Sequence, residues 1–222
     1  MKEILSFLAD LQRNNNKEWF DAHRKHYDSV KKQMTSVVAG IIEGISAFDP
    51  DISGMKPGSA MFRINRDVRF SANKNPYKNN IGAFMSKEGK KSPFAGYYFH
   101  IQPGASFIAV GIWMPEASVL NSVRRELHFN HANFRKILKS KHMAPWGEME
   151  GEQLKTSPKG YDADHPAIDL LRYKSFVFTC SFSDKEVNKP DFASTCTKMY
   201  KAALPFVKFV NEAIESGLNE RG

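Results

Sequence analysis

The segment of the sequence most suited to chemistry is a run of cations between residues 63 and 78. Arg63, Arg66 and Arg69 recur at every third position, and Lys74 and Lys78 follow them. The planar guanidinium group of arginine binds a phosphate or a carboxylate through two hydrogen bonds at once, and lysine adds a point charge. This pattern predicts a binding site for an anionic ligand.

The cations alternate with apolar and hydrogen-bonding residues. Phe62, Ile64, Val68 and Phe70 flank the arginines and are expected to pin the backbone that carries them. We predict that six residues of this segment bind the ligand: Arg63, Arg66, Arg69, Lys74, Tyr77 and Lys78. Asp67 is a secondary candidate, although neighbouring arginines lower the pKa of a carboxyl group and make it a poor general acid.

The positive charge of the chain is concentrated around this segment. Between Lys56 and Lys91 there are nine basic and two acidic residues, a net charge of +7 out of +8 for all 222 residues. A focused positive charge creates a local field that attracts anions. The alternative is a structural ion-pair network in which Asp67 and carboxylates from elsewhere neutralise the arginines.

A second candidate region lies between Lys155 and Lys174. His165 stands close to Asp162, and a carboxylate could orient it as an acid–base group. Lys159 and Tyr161 are further candidates in this region. The same residues could equally form a metal site. The alternative to both is a polar loop with aspartate turn chemistry, which this composition favours.

No metal site or cofactor is predicted. His128 and His131 supply two ligands, whereas a structural zinc site needs four, and Cys180 and Cys196 have no metal-binding or redox spacing. The glycine-rich phosphate loops G-x-x-x-x-G-K-[ST] and G-x-G-x-x-G are absent from the sequence.

Hydrophobic periodicity predicts the elements that position these residues. The helical period predicts a short N-terminal helix, a long helix over 17–48, two helices after Pro115, helical turns over 166–171 and a long C-terminal helix over 191–216. Strands are expected at 60–64, 81–86, 97–102, 107–114 and 175–182. Because Ala109 and Gly111 have small side chains, we expect free space above their face of the strand over 107–114.

The order of helices and strands along the chain predicts an α+β fold with a mostly antiparallel sheet flanked by helices.

Length and composition favour one soluble domain over residues 1–222. No apolar run approaches the roughly 20 residues that span a bilayer, so no membrane association is expected. The absence of an apolar signal segment and the presence of only two cysteines, which have no metal-binding or redox spacing, predict a cytoplasmic protein. The oligomeric state is left open.

Several segments resemble a known family. Residues 15–20, 63–71 and 74–78 carry the resemblance, together with the later residues 158–161, His165-Pro166 and 96–98. They are similar to the domain-of-unknown-function family numbered 2461. The resemblance covers most of the chain and implies a self-contained one-domain protein. It implies no activity, cofactor or catalytic residue.

Three classes of function fit the sequence. The first is binding of an anionic ligand, a nucleotide, phosphorylated metabolite or nucleic acid. The second is an enzyme for an anionic substrate with His165 and Asp162 as acid–base groups, and the third is a protein that binds an acidic protein surface. Nucleic acid would be favoured if the nearby aromatic side chains are exposed and able to stack on bases. These are Phe62, Phe70, Tyr77, Tyr97 and Tyr98.

Overall fold

A computed structural model describes residues 1–220 of the chain. Contacts between residues divide it into two compact units. The first comprises Met1–Met85, Tyr98–Ile108 and Ser181–Lys198, and the second comprises Ser86–Tyr97, Ala109–Cys180 and the chain from Met199 onward. That the whole chain is one domain stays a prediction.

Helices dominate the start of the first unit. They are α1 (Lys2–Arg13), α2 (Lys17–Ala22), α3 (Arg24–Ser46) and the short α4 (Pro57–Ala60), with a 3₁₀ turn at Pro50–Ile52. The prediction of one helix over 17–48 was wrong, because the chain leaves the helical conformation at His23 (φ −104°, ψ 16°). The His23 ring bonds back to the carbonyl of Trp19, with Nδ1 and O 2.8 Å apart, and such local contacts compete with helix continuation.

One apolar stripe on α3 faces α1, and the two helices pack together. The stripe follows the helical period and is buried at Val30, Met34, Val38, Ile41, Ile42 and Ile45. Val38 is buried, whereas its neighbour Val37 is half-buried. This packing holds α1 and α3 against each other.

The four strands form one antiparallel sheet in the order β1-β2-β3-β4. They are β1 (Ile81–Ser86), β2 (Gly96–Ile101), β3 (Ser106–Ile112) and β4 (Phe176–Phe182). The sheet and its flanking helices confirm the predicted α+β class. The strand predicted at 60–64 was wrong, because Pro57 begins a helical turn there and Met61 makes only an isolated bridge to Ala83. Proline favours the first helical position because its φ is already fixed.

The second unit contains α5 (Ala117–Leu138), a 3₁₀ turn at Ala144–Trp146 and the short α6 (Ile168–Leu171). Helix α5 breaks its regular geometry at Asn130, where the sequence predicts a boundary between two helices. The remaining helices of the described chain are α7 (Asp184–Val187) and α8 (Phe192–Asn219). No helix within residues 1–220 combines the length and the apolar character needed to cross a membrane.

An aromatic cluster forms the core of the second unit. Phe134 lies 4.8 Å from Phe209 and 6.0 Å from Phe206 between ring centroids. The prediction of room above Gly111 was wrong. Its backbone has φ +120°, and a Cβ there would stand 1.9 Å from the carbonyl oxygen of Phe176. Glycine is therefore required where these two backbones approach each other.

Candidate functional site

The predicted cationic segment folds as a loop between two paired arms. Asn65 and Tyr77 form an antiparallel bridge. The amide of Arg66 donates to the carbonyl of Pro76 at 2.9 Å, and the amide of Lys78 donates to that of Ile64 at 2.8 Å. Residues 63–78 are called the arginine loop below, and their pairing gives the loop a defined base.

The turn between α1 and α2, together with α2 itself, anchors this base. The side-chain amide of Asn15 donates to the carbonyl of Tyr77 at 3.0 Å and accepts from its N–H at 3.1 Å. The Tyr77 ring stacks on Phe20 with centroids 4.0 Å apart. Tyr77, predicted as a ligand contact, is buried and supports the loop from within.

Arg66 braces the interior of the arginine loop. Its guanidinium group donates to the carbonyl of Asn75 at 3.0 Å and to the hydroxyl of Ser71 at 3.2 Å. The ammonium group of Lys74 donates to the carbonyl of Val68 at 3.1 Å. These contacts join the two sides of the loop and brace it from within.

Arg69 forms a two-point ion pair with Asp67. Its Nε donates to Oδ1 at 3.0 Å and its Nη2 to Oδ2 at 2.7 Å. The hydrogen bonds from Arg69, reinforced by the nearby charge of Arg63, hold the pKa of Asp67 below its usual value. Asp67 is therefore ionised near neutral pH and is unsuited to act as a general acid.

Two further cations and two rings complete the surface of the loop. Arg63 is exposed and makes no hydrogen bond or ion pair with any residue in 1–220. Lys78 is half-buried, and its ammonium group lies 5.5 Å from the ring centroid of Phe62. Phe70 is exposed, and the guanidinium carbon of Arg69 lies 5.9 Å from its ring centroid.

A partly buried polar network, also in the first unit, runs along β2 to Gln102, and the sequence did not identify its members as partners. Tyr98 Oη donates to His100 Nδ1 at 2.9 Å, and His100 Nε2 donates to Gln102 Oε1 at 3.1 Å. Burial lowers the pKa of His100, and the charge of Lys78 lowers it further. Gly82 leaves room for the hydroxyl, since a Cβ there would lie 2.6 Å from Tyr98 Oη. The signal was the alternation of three polar side chains along one strand face.

In the second unit, two histidines far apart in sequence form a hydrogen-bonded pair. His165 Nδ1 accepts the N–H of Ala167 at 3.0 Å, so the ring proton of neutral His165 lies on Nε2. That proton is donated to His128 Nδ1 at 2.8 Å. A proton on His128 Nδ1 would remove the acceptor of the bond between the two rings, and a proton on His165 Nδ1 would remove the acceptor of the Ala167 N–H.

His131 and Tyr161 complete this histidine cluster, which we define as His128, His131, His165 and Tyr161. His131 Nδ1 is buried and has no hydrogen-bond partner among residues 1–220. The Tyr161 ring lies 5.6 Å from that of His128. Burial lowers the pKa of His165, and the neighbouring histidines lower it further.

The structure changes the expected environment of His165. Its side-chain partner is His128, not the predicted Asp162, whose carbonyl accepts the backbone N–H of His165. Lys159 is exposed. The spacing of His128 and His131 on one helix was the available signal, but the sequence does not show which loop approaches that helix. Across residues 1–220, no group of three ligating side chains is arranged to hold a metal ion.

Two arginines fasten the chain beyond His165 to α5. Arg124 is buried and donates to the carbonyls of Leu171 and Tyr173 at 2.9 and 3.2 Å. Arg135 forms a two-point ion pair with Asp169, with distances of 2.6 and 3.1 Å. These contacts hold the chain that follows His165 against α5.

These features define an α+β protein that carries an internally braced cationic loop. The chain belongs to the family described as "Conserved hypothetical protein (DUF2461)", whose model matches residues 3–209. The match confirms the resemblance noted in the sequence and includes the arginine loop and the histidine cluster. No curated protein and no solved structure matches the sequence.

Proposed function

We propose that the protein binds a phosphate- or carboxylate-bearing ligand through the arginine loop. The observation that carries this proposal is the bracing of the loop. Five cations and one acid stand on a backbone that is held by its own hydrogen bonds. A site whose cations are already positioned loses less conformational entropy on binding than a flexible one.

The contacts of the cations favour a binding role over an ion-pair network. Asp67 pairs with Arg69, whereas Arg66 and Lys74 donate to neutral oxygens and leave their charge uncompensated by those contacts. Arg63 forms no ion pair with residues 1–220. The loop therefore keeps most of its positive charge for an external anion.

The predicted residues divide into two roles. Arg63, Arg69 and Lys74 are exposed and contact the ligand, with each charge-assisted hydrogen bond contributing about 1.5–3 kcal/mol. Lys78 adds charge from its place beside Phe62. Arg66 and Tyr77 position the loop.

The alternative functions receive less support. Both ring nitrogens of His165 are engaged, by His128 and by Ala167, which counts against an acid–base role paired with Asp162. An acidic protein surface remains an alternative ligand for the same cations. We also propose a cytoplasmic location, because the chain has only two cysteines and their spacing is typical neither of a disulfide framework nor of a metal site.

The test removes two exposed charges of the arginine loop and leaves the hydrogen bonds of Arg66 and Lys74 in place. The double variant Arg63→Gln/Arg69→Gln is compared with the wild type for binding of inorganic polyphosphate, by thermal shift at low and high salt. A ligand at a hundred times its dissociation constant stabilises the wild type by about 2.7 kcal/mol. We expect most of this shift to disappear in the variant, whose melting temperature without ligand stays unchanged.

The matched control is Lys31→Gln/Lys32→Gln, which removes two exposed charges from α3. It should bind polyphosphate as the wild type does. Equal losses in both variants would mean that binding follows net charge and would contradict a site in the loop. If the loop binds polyglutamate and does not bind polyphosphate, an acidic protein surface would instead be favoured as its ligand.

A further inference from the structure

Phe70 is the most exposed large apolar side chain in the described part of the chain. It is 96% exposed, whereas the other exposed aromatic and aliphatic side chains range from 39% for Phe62 to 72% for Phe129. The loop on which it stands is braced by Arg66 and Lys74, so this exposure belongs to a held conformation. A ring presented in this way has a face available for stacking.

Two cations of the arginine loop lie beside exposed aromatic rings, one within the loop and one on the residue that precedes it. Arg69 lies beside Phe70, and Lys78 lies over Phe62. Aromatic rings next to cations are the elements with which proteins hold single-stranded nucleic acid, since bases stack on the rings and phosphates contact the charges. Tyr77 and Tyr97 are buried and cannot contribute such stacking.

The cations are also spread along the loop. Arg66, Arg69 and Lys74 each bond to different oxygens of the loop, and no acceptor is shared between them. A small phosphate requires several donors that converge on one point, whereas a polymer presents its phosphates one after another. Because the three cations do not converge on one acceptor of the loop, each is expected to meet a different phosphate of a chain.

We infer that the arginine loop binds single-stranded nucleic acid, with a base stacked on Phe70 and successive phosphates on Arg63, Arg69 and Lys74. This inference rests on the proposed anion binding and names its ligand. Single strands are favoured because the bases of a duplex are already stacked on one another. A membrane is disfavoured because Phe70 is the single large apolar residue between Arg69 and Asn75, and interfacial segments bury a larger apolar surface.

The experiment separates stacking from charge. Fluorescence anisotropy compares the binding of labelled oligothymidylate with that of an abasic oligomer of equal length and charge. We expect the wild type to bind oligothymidylate about tenfold more tightly, which is the contribution of one stacked base. Phe70→Ala should lower that affinity about tenfold and leave the abasic affinity unchanged. Phe129→Ala removes a comparably exposed ring elsewhere and should change neither.

Each contrary result has a distinct meaning. Equal affinity for both oligomers, unaffected by Phe70→Ala, would overturn the inference while anion binding stands. Failure to bind either oligomer or polyphosphate would overturn the proposed function as well. Phe70-dependent binding to phosphatidylserine vesicles without binding of oligothymidylate would assign the loop to a membrane surface and also overturn the inference. Phe70 makes no core contact, so the variant is expected to fold, and its melting temperature checks this.

Discussion

Two arginines in the molecule make the same kind of contact in different surroundings. Arg66 in the arginine loop donates to Asn75 and Ser71, and Arg124 near the histidine cluster donates to Leu171 and Tyr173. Each guanidinium group thus joins two points of a loop. Arg124 is only 7% exposed, whereas the side chain of Arg66 is half-buried and its loop faces solvent.

Because Arg124 is buried and Arg66 is not, we expect Arg124 to stabilise the fold and Arg66 to hold the loop in a conformation suited to binding. Burial lowers the pKa of Arg124, because its charge has lost part of its hydration. Its donors satisfy the buried carbonyl of Leu171 and the partly buried carbonyl of Tyr173, and removing them would take these hydrogen bonds away. Arg66 braces a loop whose polar groups water can reach, so its loss should alter ligand binding more than folding.

The largest effect is expected from Arg124→Met. This change removes both hydrogen bonds and should lower the free energy of unfolding by about 2–4 kcal/mol, the cost of leaving buried acceptors unpaired. Arg66→Met, the matched change in the loop, should lower it by about 1 kcal/mol. Urea denaturation of both variants measures the difference. An equal decrease in the free energy of unfolding in both variants would show that Arg66 stabilises the fold as much as Arg124 does.

The sequence predicts most elements but not the contacts between them. The strand prediction at 81–86 was correct because a short apolar run leaves its signal in consecutive residues. The break at His23 was missed because it depends on one side chain turning back to Trp19. The residues 60–64 were misassigned because a short apolar run does not distinguish a strand from an extended connection.

In the candidate sites, too, the sequence predicts the residues but not the contacts between them. The cations of the arginine loop were evident as residues, but the roles of Arg66 and Asp67 depend on contacts across a turn. The pairing of His128 with His165 joins residues 37 positions apart. Such a pair follows from how a loop packs on a helix, which hydrophobic periodicity alone does not specify.

A smaller effect, and one confined to the histidine cluster, is a dependence of stability on pH. The pKa of His165 is lower in the folded protein than in an unfolded chain, because it is desolvated and surrounded by other histidines. The unfolded state therefore binds more protons as the pH falls below the ordinary histidine value of about 6.5. His165 contributes stability above that pH, and this contribution is lost as the pH falls through its folded pKa.

Chemical denaturation at about pH 8 and pH 5 tests this expectation across the ordinary histidine range. The free energy of unfolding of His165→Gln should fall less on acidification than that of the wild type. His142→Gln, which changes an exposed histidine in the same unit, should keep the wild-type dependence. An unchanged dependence in His165→Gln would contradict the neutral pair with His128. The arginine loop contains no histidine and should not contribute to this dependence.

The smallest effect on stability is expected from Asp67→Asn, although its effect on binding is informative. The side chains of Arg69 and Asp67 are 76% and 46% exposed, and ion pairs of this kind contribute little to folding. The melting temperature should therefore stay unchanged. The loop gains a positive charge and Arg69 is released, so polyphosphate should bind more tightly and with a steeper dependence on salt. Glu152→Gln breaks a similarly exposed pair with Lys174 and should leave binding unchanged. Weaker binding in Asp67→Asn would instead show that the carboxylate is needed to aim Arg69 at the ligand, which would place Asp67 among the positioning residues with Arg66.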